Sequence, residues 1–138
     1  MPKFIAGDVD GCADRARHAI AKILVVDDEP VVGDALKVVL ESNGYEVVVV
    51  ESGREGMRQA SSGHFCIAIV DLFLSDMSGL QAIKSIRERQ HEFPIILITA
   101  MGTAQAFSEA RQLGVVGILT KPFPPSDILR LVTRAIDR

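Results

Sequence analysis

The chain has 138 residues, 48% hydrophobic and 24% charged, which is enough for one globular domain with a sizeable core and too few for two ordinary ones. A net charge of −3 and a pI near 5.6 lack the excess of Lys and Arg that phosphate-backbone binding uses, which argues against direct nucleic-acid binding. No apolar run approaches the length of a membrane span, and Met1-Pro2-Lys3-Phe4-Ile5-Ala6-Gly7 lacks the apolar stretch of a secretory signal, so no membrane partner and a cytoplasmic location are expected.

Residues 1–20 fit no periodic element and read as an N-terminal extension, mobile or loosely packed. Gly7-Asp8-Val9-Asp10-Gly11-Cys12 is turn-like, and Asp8, Asp10 and Asp14 lack the ligand spacing and closing glutamate of a calcium loop. Cys12 in this leader and Cys66 in a core strand do not form a disulfide framework; reduced thiols are expected.

From residue 21 onward, strand-like runs alternate with helix-like stretches: strand Lys22–Val26, helix 30–42, strand Glu46–Val50, helix 52–61, strand 65–70, helix 78–90, strand 95–98, helix 104–113, strand 117–119 and helix 126–137. The strands are unbroken Val and Ile runs, the pattern of strands buried on both faces, and the alternation predicts an α/β fold with a parallel sheet covered by helices. Helix punctuation agrees. Pro30 suits a first turn, Ser52 and Ser78 suit N-caps, and Asn43-Gly44 and Gly114 suit stops. Val31, Ala35, Val38, Val39 and Ser42 recur at helical spacing in the first helix, and Leu80, Ile83, Ile86 and Arg87 in the third.

Three apolar runs stop at a residue that can handle charge, and a fourth adds a hydroxyl at the same edge. The first ends at Asp27-Asp28, the third at Asp71, the fourth at Thr99 and the fifth at Lys121-Pro122. In a parallel sheet those carboxyl ends share one edge, where ligands bind. Three carboxylates gathered there need compensation, by proton uptake or by a cation, and few hard oxygen ligands favour Mg²⁺ completed by a phosphate oxygen. A carboxylate can also act as nucleophile in phosphoryl transfer, where catalysis is mostly positioning and charge stabilisation.

These motifs resemble the receiver domain of two-component response regulators from about residue 21 to the C-terminus. The resemblance rests on Val25-Val26-Asp27-Asp28-Glu29-Pro30, Val70-Asp71-Leu72 with Met77-Ser78-Gly79, Ile98-Thr99-Ala100 and Lys121-Pro122-Phe123. It implies a flavodoxin-like, doubly wound five-stranded sheet of order 2-1-3-4-5. It also implies a phosphorylation-controlled switch in which Asp71 accepts a phosphoryl group from a histidine kinase or phosphotransfer protein. Asp28 would bind Mg²⁺ directly and Asp27 largely through water, with Asp71 and the backbone carbonyl of Phe73 completing the protein ligands. Thr99 and Lys121 would contact phosphoryl oxygens, and Lys121-Pro122 would be cis.

The resemblance further implies a downstream effector domain or protein, and allows a homodimer through helices four and five and strand five. Such a protein is a phosphoacceptor regulator that assists its own phosphorylation and dephosphorylation rather than a separate enzyme. Two positions depart from the family pattern. Ile118 replaces the aromatic residue that usually couples to the threonine, so output is expected through the 100–104 loop and the fourth helix. Ser75 replaces a common proline, and a less rigid loop is expected there.

A haloacid-dehalogenase-like phosphatase would need a second Asp two residues after Asp71, where Phe73 stands, and an FMN carrier would need a phosphate loop where Asp28-Glu29-Pro30 would repel phosphate. A non-phosphorylated pseudo-receiver acting as an interaction module would have lost an acid, the hydroxyl or the lysine, and none is lost. His18, His64 and His91 read as surface histidines. Arg54, Arg58, Arg87, Arg89, Arg111, Arg130, Arg134 and Arg138 read as solvated helix positions.

Overall fold

A computed structural model describes residues 20–137. The expectations for the N-terminal extension with Cys12 and His18, and for Arg138, lie outside the described residues. Five strand–helix units follow one another: β1 (Lys22–Val26), α1 (Pro30–Glu41), β2 (Glu46–Val50), α2 (Gly53–Ala60), β3 (Ile67–Asp71), α3 (Gly79–Arg89), β4 (Ile95–Thr99), α4 (Ala104–Gln112), β5 (Gly117–Thr120) and α5 (Pro125–Ile136). All strand pairs are parallel, in the order β2-β1-β3-β4-β5 expected from the family resemblance.

Local chemistry sets the helix starts. Ser52 accepts the Glu55 N–H at 3.1 Å, Thr103 accepts the Ala106 N–H at 3.0 Å, and Ser78 with Gln81 closes a capping box ahead of α3. Pro30 and Pro125 occupy first turns, where a missing N–H removes no helical bond.

The sheet divides the core into two layers. One contains Leu36 and Leu40 from α1 and Ile128, Val132 and Ile136 from α5, packed on Ile23, Val25, Ile67, Ile69, Ile96 and Ile98. The other packs Ala60, Ile83, Ile86 and Ala110, from α2, α3 and α4, on Leu24, Val26, Ala68, Val70, Ile95 and Leu97. Strands β3 and β4 are buried throughout, and β1 from Ile23 onward; each fully buried Ile or Leu contributes roughly 1.5–3 kcal/mol of transfer free energy. The edge strands β2 and β5 depart from the expectation of complete burial, because each has a neighbour on one side only.

Three further expectations are corrected. The α1 stripe through Val31, Ala35 and Val38 faces outward, Val31 at 80% and Val38 at 64% exposure, while Gly33, Leu36 and Leu40 face the sheet. That helix is apolar on both sides, so spacing alone does not choose the inner face. Arg87 is not a solvated helix position. Its guanidinium donates to the carbonyls of Leu113, Gln90, Phe93 and Gly114, tying the end of α3 to the turn after α4. Cys66 is disulfide-bonded rather than a free thiol; its N–H meets the Lys22 carbonyl at 2.8 Å, where the chain enters β1. Among the described residues, no helix is long and apolar enough to cross a membrane.

Candidate functional site

The carboxyl ends of β1, β3, β4 and β5 bring the singled-out side chains to one edge. The register sets Val26 opposite Val70 and Asp71 opposite Ile98, so Asp27 and Thr99 each stand one residue beyond a central pair. Asp27 and Thr99 are wholly buried and Asp71 nearly so, while Asp28 sits half-buried at the rim. One oxygen from each of Asp27, Asp28 and Asp71 lies within 4.8 Å of the others.

Lys121 reaches into this group from the end of β5. Its ammonium is 3.0 Å from Asp71 Oδ2, 3.0 Å from Asp27 Oδ2 and 2.6 Å from Glu29 Oε1. The Lys121-Pro122 bond is cis, as the resemblance implied. Burial works against the lysine charge, but Glu29, Asp71 and Asp27 outweigh it and hold the ammonium protonated well above the ordinary lysine range. Glu29 is a participant that the sequence reading quoted without assigning a role; the third acid in a row after β1 was the available signal.

Asp27 shows the opposite balance. Burial raises its pKa, with the Asp71 charge adding to the rise, against the Glu29 N–H at 2.9 Å and the nearby ammonium. Lys121 pairs with Asp27 Oδ2 as an ion pair at 3.0 Å. That oxygen is the one buried side-chain polar atom among the described residues without a hydrogen-bond partner. A buried carboxylate oxygen held by a single ammonium and set beside two further carboxylates leaves negative charge that a small hard cation would offset, so the residues present fit Mg²⁺.

The loops around the edge are tied down by their own residues. After β3, Phe73 donates its N–H to Asp71 Oδ1 at 3.3 Å and pairs with Ser78 in an isolated bridge. The Asp76 carboxylate accepts the Gly53 and Arg54 N–H groups at 2.8 and 3.0 Å, which holds its pKa below the usual range. These contacts fasten the segment on both sides of Ser75. Gly79 is required by close approach: a Cβ there would lie 2.1 Å from the Asp71 carbonyl oxygen.

Thr99 stands at the expected strand end, but its hydroxyl faces the following loop, donating to the Met101 carbonyl and accepting the Met101 N–H at 3.1 Å. Ile118 is half-buried and packs with the α2–α4 layer. Met101 and Phe73, at 70% and 58% exposure, stand two residues past Thr99 and Asp71. His64 and His91 are exposed and outside this group.

A doubly wound sheet whose carboxyl edge gathers three aspartates, a threonine and a lysine defines a phosphoacceptor signalling domain. The family model described as "Response regulator receiver domain" matches residues 23–133, and the chain belongs to that family. It is 35% identical over 121 residues to the transcriptional regulatory protein GlrR of Escherichia coli K12, covering 88% of this chain and 27% of that protein. To the transcriptional regulatory protein PcoR of Escherichia coli it is 34% identical, covering 82% of this chain and 49% of that protein. The chain thus spans between about a quarter and a half of the length of these relatives.

Among solved structures, the CheY-like receiver domain protein of Methanospirillum hungatei superposes with a TM-score of 0.83 at 26% identity, covering 86% of this chain and 95% of that one. The chemotaxis protein CheY4 of Vibrio cholerae does so with a TM-score of 0.79 at 30% identity, covering 85% and 99%.

Proposed function

We propose that Asp71 is the phosphoacceptor of a two-component switch. A carboxylate oxygen of Asp71 attacks the phosphorus of a partner's phosphohistidine, a P–O bond forms as the P–N bond breaks, and the electron pair leaves with the imidazole. The observation that carries this reading is the convergence of Asp27, Asp28 and Asp71 with Lys121 on one strand edge. Asp27, Asp28, Asp71 and the Phe73 carbonyl would hold Mg²⁺, which supplies charge neutralisation for the phosphoryl oxygens. Lys121 pairs with the same oxygens once they replace Glu29 as its partner, and Thr99 turns its hydroxyl from Met101 toward them.

The donor is a histidine kinase or phosphotransfer protein, and the exposed Val31 and Val38 of α1, beside the acid rim, offer it apolar contact. Phosphorylation changes the surface of the 100–104 loop, α4 and β5, and so the affinity for an effector or a second copy of the chain. The protein assists its own phosphorylation and dephosphorylation, and works in the cytoplasm. Incubation with Mg²⁺ and acetyl phosphate tests the central step. One phosphoryl mass is expected on the parent and none on Asp71→Asn, whereas a parent that gains no mass is a pseudo-receiver.

A further inference from the structure

Helices α2 and α3 pack side by side, and the groove between them forms a cleft of about 350 Å³, open to solvent on one side and within the size range of small-ligand sites. None of Asp27, Asp28, Asp71, Thr99 or Lys121 lines it. In a chain of net charge −3, three guanidinium groups gather there: Arg54 and Arg58 from α2 and Arg89 from α3. Glu55 already holds Arg58 through two N–H donors. Among the described residues, no hydrogen bond or ion pair ends on the guanidinium of Arg54 or Arg89. The nearby Asp76 carboxylate is turned to the backbone N–H groups of Gly53 and Arg54.

The rest of the lining is of a different kind. Met57 and Ile86 supply an apolar floor, and a thioether adapts readily to the face of a flat ring. Gln90 donates its amide N–H to the Ala60 carbonyl at 2.8 Å, which leaves its Oε1 as an acceptor in the wall. We propose that this groove is a binding site for a mononucleotide. The phosphate lies between Arg54 and Arg89, the base rests on Met57 and Ile86, and Gln90 Oε1 accepts a ring or exocyclic N–H. Guanidinium pairs with phosphate in a forked geometry, so two arginines whose donors are unused on facing helices suit a phosphate, even with the Arg54 charge also acting on Asp76.

The test titrates the chain with AMP and GMP in EDTA, which keeps the Mg²⁺ site out of play, and follows backbone amide shifts and calorimetric heats. A dissociation constant below about 1 mM is expected for one of the two, with shifts on α2 and α3. The exposed double variant Arg54→Gln/Arg89→Gln weakens it about tenfold or more, while acetyl phosphate still labels Asp71 in that variant. Inorganic phosphate and adenosine each bind at least about tenfold more weakly than the nucleotide. The proposal is overturned by no binding, by phosphate alone binding as tightly, by a Glu-rich peptide binding more tightly than either nucleotide, or by affinity unchanged in the double variant.

Discussion

Lys121 Nζ stands 3.0 Å from Asp71 Oδ2, so the carboxylate that ends β3 is held by an ammonium delivered from a strand two places away in the sheet. The lysine side chain is only 10% exposed and serves Asp27 and Glu29 as well. Replacement by an uncharged side chain of similar length leaves the acids facing one another. Lys121→Met is expected to lose about 3 kcal/mol in EDTA, since removing one member of a buried pair strands the other. Urea unfolding measures the loss, and added Mg²⁺ is expected to restore more stability to this variant than to the parent.

Burial raises the pKa of Asp27 in the folded protein above the ordinary 3.8, so the folded state binds that proton more tightly than the unfolded chain. Its contribution is complete below the unfolded value and is lost as pH rises through the raised folded one. Without Mg²⁺, Asp27→Asn is therefore expected to be more stable than the parent at pH 7, with the gap closing in acid. Unfolding curves in EDTA across that range decide it; a gap that widens in acid would reverse the sign.

Gly79 opens α3 with its N–H on the Leu72 carbonyl at 2.7 Å, directly behind Asp71. The Cβ of Gly79→Ala would meet Asp71 O at 2.1 Å and Leu72 Cα at 2.9 Å, both backbone, so the strand end itself has to move. A loss of about 1–3 kcal/mol is expected, together with slower labelling of Asp71 by acetyl phosphate. Thermal melts and the labelling rate report the two effects separately.

Arg87→Met keeps the aliphatic stem of Arg87 but withdraws the donors serving four carbonyls at the junction of α3 and β5. About 1–3 kcal/mol should be lost, because three part-buried carbonyls lose their charged donor. Arg111→Met on exposed α4 is expected to stay within about 0.5 kcal/mol of the parent. Equal losses in the two variants would contradict the assigned role of Arg87.

The strand edge was legible because unbroken Val and Ile runs each halt at a residue of different chemistry, a pattern that survives without knowledge of contacts. Side-chain pairings at that edge were less so. Nothing in residue spacing shows that Thr99 bonds Met101, or that Glu29 shares Lys121 with two aspartates. Helix faces failed where composition is ambiguous: Val31 and Val38 are as apolar as Leu36 and Leu40, and only the path of the chain around the sheet turns the leucines inward. Arg87 was misplaced because its charge suggests water, whereas a planar group with five donors is also suited to gathering stray carbonyls. The tether from Asp76 to the start of α2 was likewise invisible in residue spacing.

The ion pair between Glu29 and Lys121 joins residues 92 positions apart, and that between Asp71 and Lys121 joins residues 50 apart. Synthesis runs from the acids to the lysine. A nascent chain that has folded β1, α1 and β3 therefore carries a crowded, uncompensated nest of acids until the last strand emerges and docks. The charge balance of that edge is thus completed only by the final strand, which makes β5 the closing member of the acid cluster as well as of the sheet.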